Sequence, residues 1–121
     1  MTLPHLTSPK TIAMIGVGIM GRGMVSNLKK TGVRLRLYSR SPRKIQDLRD
    51  SDTTIHESIS EAAQNADLTV LCLTEDEVVR HSFFEGRLLE AKPLMIIDTG
   101  TTSVQLTLEM EAAASNAGIT F

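Results

Sequence analysis

Glycine occupies the first, third and sixth places of Gly16-Val17-Gly18-Ile19-Met20-Gly21, and this run joins two segments of different periodicity. Thr11–Ile15, before it, is a short apolar stretch that reads as a buried strand. Residues 19–30, after it, carry a helical pattern with Met20, Met24 and Leu28 on one side. Glycines in that setting have a chemical use. Gly16 permits a tight turn, Gly18 lets a pyrophosphate approach the backbone, and Gly21 lets the helix lie close on the strand. The helix N-terminus adds free N–H groups and the positive end of its dipole, both of which attract phosphate oxygens. Ile19 and Met20 belong to the same phosphate-facing turn. The spacing of the glycines is a weak signal alone, and the strand before and helix after give it weight.

A second group stands at the end of the next apolar segment. Folds of this kind that take NAD place Asp or Glu about 20 residues beyond the glycines, to bond the ribose 2′-hydroxyl. Here the run is Tyr38-Ser39-Arg40-Ser41-Pro42-Arg43-Lys44, and the first carboxylate of the whole chain is Asp47. Hydroxyls and cations suit a 2′-phosphate, which Arg40 can meet in a two-pronged fork. Ser39, Arg40, Ser41 and Lys44 are therefore the expected 2′-phosphate site, and NADP rather than NAD the expected cofactor. A solvated basic turn without a ligand is the alternative.

The elements that must hold these residues alternate regularly. Gly32 sits where a C-cap glycine belongs, and 33–38 is rich in strand formers. Ser41-Pro42 starts a helix, with Ser as N-cap and Pro at the first helical position. A short strand at 54–56 follows, and Ser58-Ile59-Ser60-Glu61 has capping-box spacing for a helix to about Asn65. Residues 68–73 form a continuous apolar run, as a strand covered on both faces does. Thr74-Glu75-Asp76-Glu77 and Thr102-Ser103-Val104-Gln105 are two further boxes, flanking a buried strand at 94–97 that ends at Asp98. The last helix places Leu106, Met110, Ala113 and Ala117 on one side and stops at Gly118; 119–121 begins a sixth strand.

Strand and helix thus repeat five times before a strand cut short. The expected fold is α/β, a Rossmann-type doubly wound parallel sheet truncated in its sixth strand. Residues 1–9 are an expected irregular lead-in, and 10–121 an incomplete dinucleotide-binding domain, expected to be part of a longer protein. Its poorly covered edge predicts self-association.

Composition removes other classes. Aromatic residues are only 3%, so aliphatic and Met side chains must fill the core. No apolar run approaches the roughly 20 residues of a membrane helix, and no secretory leader is legible, so a cytoplasmic protein is expected. A single cysteine, Cys72, excludes an internal disulfide, and His5, His56 and His81 have no metal-ligand spacing. Residues 1–46 carry nine Lys/Arg and no acid, whereas 47–121 carry four Lys/Arg and all fourteen acids. No aromatics interleave the basic residues, so a solvated face with one anion site is preferred to a nucleic-acid surface.

The run from Gly16 to Leu28, with Ser39-Arg40-Ser41 and Lys44 after it, resembles the β-hydroxyacid dehydrogenase family, with Val17 in place of the usual Leu. That family includes 3-hydroxyisobutyrate dehydrogenase and the glyoxylate and succinic semialdehyde reductases, and 6-phosphogluconate dehydrogenase is related. The resemblance extends from about residue 10 to the end. It implies hydride transfer between a nicotinamide cofactor and a small β-hydroxyacid or its aldehyde or keto counterpart. It implies that Leu73, Thr74 and Thr101 flank the nicotinamide half of the cofactor. Asp98-Thr99-Gly100-Thr101-Thr102 resembles the family's Asp-x-Ser-Thr segment, so Gly100 and Thr101 fall at the substrate side. Gly100 stands where the family has a Ser that holds substrate. The family's catalytic Lys and helical C-terminal domain fall beyond residue 121. No catalytic residue is therefore expected in this chain, and a binding-only module is the other reading. Imine reductases share the N-terminal plan and remain a relative to weigh.

Overall fold

The computed structural model describes residues 9–121. The lead-in expected over 1–9 lies outside the described residues apart from Pro9, as does His5. Five strands form one sheet: β1 (Thr11–Ile15), β2 (Arg34–Tyr38), β3 (Thr53–His56), β4 (Leu68–Leu71) and β5 (Ile96–Asp98). All pairings are parallel, in the order β3-β2-β1-β4-β5. β1 is central, with Ile12 opposite Leu35 on one side and Leu68 on the other. Thr120 makes one parallel bridge to Met95, so a sixth strand begins beside β5.

Four α-helices lie between strands: α1 (Ile19–Lys29), α2 (Ile59–Ala63), α3 (Asp76–Arg80) and α4 (Val104–Asn116). Strand alternation sends successive side chains to opposite faces of the sheet. Ala13 and Ile15 join Phe83, Leu106 and Met110 in one core cluster, under α2 to α4. Ile12 and Met14 join Val25, Leu35, Leu37 and Ile45 in the other, under α1 and the segment after β2. Covered faces on both sides make this the doubly wound, Rossmann-type α/β fold that the alternation predicts.

Several local expectations are corrected. α1 buries Gly21 and Val25, while Met20 is exposed and Met24 and Leu28 only flank the core. Gly32 has the positive φ of +79°, but the cap is Lys30, two residues earlier. The segment after Ser41 is a 3-10 helix, Pro42–Leu48, and Ser41 makes no side-chain cap. Instead the Ser41 N–H donates to Ser39 Oγ at 3.1 Å, a local turn that competes with helix capping. Ser58 caps α2 as expected, accepting from Glu61 N–H at 3.1 Å, but α2 ends at Ala63. Thr74 is not a cap; the chain enters α3 at Glu75. β4 stops at Leu71, leaving Cys72 and Leu73 in the loop beyond it. In the last box the cap is Ser103, which accepts from Leu106 N–H at 3.2 Å, because the Thr102 hydroxyl already donates to Asp98. Ala114 rather than Ala117 completes the buried side of α4.

Candidate dinucleotide site

The turn from β1 into α1 is tightly packed at two of its three glycines. Gly16 has φ +97°, and a Cβ there would stand 2.3 Å from the Cys72 carbonyl oxygen. A Cβ on Gly21 would stand 2.7 Å from the Gly16 carbonyl oxygen. Gly18 differs: a Cβ there would meet nothing within 4 Å, so its backbone faces open space. Gly18 is the N-cap of α1 and offers no side-chain hydrogen bond, and the first turn carries no acid. The N–H groups of Ile19, Met20 and Gly21 have no acceptor among the described residues. Free N–H donors and an unneutralised dipole end are what an anion needs.

Two other strand ends approach this turn. Gly18, Ile19, Met20 and Gly21 line a cleft of about 380 Å³ with Cys72, Leu73 and Thr74 after β4, and Thr99, Gly100 and Thr101 after β5. The β5 exit is bolted in place by its own polar groups. Asp98 accepts from the Gly100 N–H at 2.9 Å and from the Thr102 hydroxyl, and the Thr99 hydroxyl donates to the Leu71 carbonyl at 2.8 Å. Of the three threonine hydroxyls, only that of Thr101 is without a partner among the described residues. Gly100 is there for space: a Cβ would stand 2.5 Å from the Leu73 carbonyl oxygen.

A second cleft, of about 530 Å³, opens on the other side of β1. Tyr38 and Arg40 at the β2 exit, Glu57 to Ser60 after β3, and Val78, His81 and Ser82 from α3 and the π-helical turn after it line it. Arg40 is exposed and has no ion-pair partner among the described residues; Arg43 and Lys44 have none either. The cations of α1 are paired. Arg22 donates to both carboxylate oxygens of Asp47, at 3.0 and 2.7 Å, and to the Lys44 carbonyl at 2.6 Å. Lys29 donates to Asp50 and to the Leu48 carbonyl, each at 2.6 Å. The Arg22 hydrogen bond holds the Asp47 carboxyl below its usual range, and the Lys29 ammonium brings that of Asp50 down to about 2.

The expected residues thus fall into two groups. Gly16, Gly18, Ile19, Met20, Gly21, Leu73, Thr74, Gly100 and Thr101 surround or support the first cleft. Of Ser39, Arg40, Ser41 and Lys44, Arg40 alone borders the second. Tyr38, Val78, His81 and Ser82 were not anticipated: nothing local tells which residues of α3 return to the far side of the sheet. Cys72, in the first cleft, was missed because the strand pattern of 68–73 was extended past the strand's end at Leu71, and Thr99 because only its neighbours Gly100 and Thr101 were singled out.

All these loops lie at the carboxyl edge of a parallel sheet, and β1 and β4 mark where the strand order reverses. Crevices at such switch points are where open α/β sheets bind ligands. Fold and site together define a Rossmann-type nucleotide-binding domain. Residues 11–121 match the family described as the NAD binding domain of 6-phosphogluconate dehydrogenase, and the chain belongs to that family. It is 30% identical over 113 residues to the mitochondrial 3-hydroxyisobutyrate dehydrogenase of Drosophila melanogaster, an alignment covering 93% of this chain and 35% of that protein. The 3-hydroxyisobutyrate dehydrogenase of Mycobacterium tuberculosis, solved with L-serine, superposes with a TM-score of 0.83 at 30% identity, over 93% of this chain and 39% of that one. An imine reductase of Myxococcus stipitatus, solved with NADP+, shares the fold at 18% identity and a TM-score of 0.80, over 91% of this chain and 38% of that one. A variant solved with NAD+ superposes similarly, with a TM-score of 0.81. The chain spans between a third and two fifths of these relatives' lengths.

Proposed function

We propose that this domain binds NADPH in preference to NADH, as the cofactor domain of an oxidoreductase acting on a small β-hydroxyacid or its aldehyde or keto counterpart. One observation carries the preference: Arg40 borders the second cleft with no ion-pair partner among the described residues, and no carboxylate stands between Tyr38 and Gln46. In this reading the open backbone at Gly18 and the free N–H groups of Ile19, Met20 and Gly21 hold the pyrophosphate. Arg40, with Ser39, Ser41 and Lys44 beside it, holds the 2′-phosphate. Leu73, Thr74 and the free hydroxyl of Thr101 flank the nicotinamide, which when bound supplies hydride chemistry. These residues bind and orient. Among the described residues lining the first cleft there is no Lys, His, Asp or Glu.

Calorimetric titration tests the preference. The chain should bind NADPH more tightly than NADH. Arg40→Ala should lose NADPH affinity about 10- to 100-fold, the size of a charge-assisted contact, with far less effect on NADH. Ser39→Asp should move the preference towards NADH. Tighter wild-type binding of NADH, or equal losses in Arg40→Ala, refutes the reading.

A second reading has one observation behind it. Glu57 lines the same cleft as Arg40, and a carboxylate at the adenine ribose suits the free hydroxyls of NADH. The same titration separates the two. A binding-only role for this chain, the other reading of its sequence, carries a separate expectation. NADPH consumption with a panel of small aldehydes and keto acids, well above that of a Gly18→Ala control, would overturn that.

A further inference from the structure

We propose that Arg22 is a positioning residue for cofactor choice: it holds Asp47 away from Lys44 and so leaves the cations of the Arg40–Lys44 turn to the 2′-phosphate. The inference rests on the NADPH reading above and adds to it a residue outside either cleft. Arg22 lies one residue past the glycine run, in a segment whose basic residues read as a solvated face. The structure gives its guanidinium a particular task. It spans from α1 to the Pro42–Leu48 segment and grips both oxygens of Asp47 and the carbonyl of Lys44.

The geometry of that segment makes the grip matter. A 3-10 helix has three residues per turn, so side chains three apart eclipse one another. Lys44 and Asp47 are three apart within it. Asp47 is also four residues after Arg43 and is the first acid in the chain. With Arg22 absent, its carboxylate has two cations of the phosphate turn as ready partners. A carboxylate bonded there would neutralise a cation and repel a phosphate. A planar guanidinium meeting a carboxylate with two parallel bonds is the arrangement best able to hold it elsewhere. Lys29 treats the next nearby acid, Asp50, in the same way. α1 therefore pairs the two acids that follow the turn most closely in sequence, and Arg40, Arg43 and Lys44 stay unpaired among the described residues. Both partners of the Arg22–Asp47 pair are substantially exposed, 37% and 65%, so its direct weight in stability is small. Its effect belongs on ligand choice.

The test is titration of the 121-residue chain with NADPH and NADH, with thermal melting of every variant. Arg22→Gln should weaken NADPH about 5-fold and NADH less than about 2-fold, as expected for one charge released at a partly screened surface. Arg22→Gln combined with Asp47→Asn should recover NADPH affinity, because the released charge is gone. A purely structural loss is not repaired by a second substitution in the same contact. If Arg22→Gln melts below the working temperature, Asp47→Asn alone decides: NADPH affinity equal to or above wild type supports the proposal, and a fall overturns it. An unchanged affinity ratio in Arg22→Gln, or no recovery in the double variant, also overturns it. Failure of the underlying NADPH reading is visible separately, in the wild-type and Arg40→Ala titrations.

Discussion

At the turn after β1 the backbone leaves no room, and at the turn after β2 it leaves almost everything open. A Cβ on Gly16 or Gly21 would collide with a carbonyl oxygen, whereas Arg40, Ser41 and Lys44 are exposed and their side chains have no partner holding them. The first region is shaped by exclusion: close approach of β1, α1 and the β4 exit defines where a phosphate can rest, whatever sugar it carries. The second is shaped by charge, and only a ligand that differs in charge can feel it. Affinity and choice are thus placed in separate parts of one site. Substitutions in the first region should change both cofactors together, and substitutions in the second should split them.

The largest effect expected is at Gly16. Gly16→Ala places a Cβ against Cys72 in a backbone conformation that L-residues avoid, and should cost about 2–4 kcal/mol of stability and abolish binding of both cofactors. Urea unfolding and titration measure the two losses; a normally stable variant would break the comparison. Gly18→Ala should be gentler and more telling. Its Cβ meets no protein atom, so the fold should melt within about 1 kcal/mol of wild type. NADPH and NADH should nonetheless both weaken about 10-fold, because the methyl stands where a phosphate would approach. Selective loss of one cofactor would count against the division, just as equal losses in Arg40→Ala would.

The smallest effect concerns acid. The Asp50 carboxyl is brought to about 2 by Lys29, below its ordinary value of 3.8. A carboxyl lowered on folding contributes stability above its unfolded value, and that contribution disappears as pH falls through the folded one. The advantage of wild type over Asp50→Asn should therefore be full at pH 5 and shrink between about pH 4 and pH 2. Urea midpoints across that window check it, and a gap that widens on acidification would contradict the pairing.

Much of the frame was legible because it is local. Parallel strands announce themselves as apolar runs, and the glycine spacing reports a turn that only glycine can make. Ser58 was legible as a cap because its partner, Glu61, is three residues away. What was missed depends on contacts across the fold. Thr102 has cap chemistry but donates to Asp98, so the cap passes to Ser103. The helical pattern put Met20, Met24 and Leu28 on one side of α1, yet the buried residues there are Gly21 and Val25, and Ile19 and Met20 are 96% and 64% exposed at the cleft. Arg22 and Lys29 read as solvated because their acids lie 25 and 21 residues away, and only docking of the 3-10 segment on α1 brings them together.

The central place of β1 also sets an order of events. Its glycine turn packs against Cys72, and the Gly100 backbone packs against Leu73, so neither side of the first cleft exists until β4 has been laid beside β1. That pairing joins Ile12 to Leu68 and must close a long loop before any contact rewards it. β1 and β2, by contrast, are neighbours in both sequence and space. A chain growing from its N-terminus can form the β1–β2 pair and the Arg22 grip early, while the glycine turn after β1 waits unsupported. Nucleotide can therefore reward folding only in its late stages, and slow steps in refolding should be those that bring β4 and β5 home.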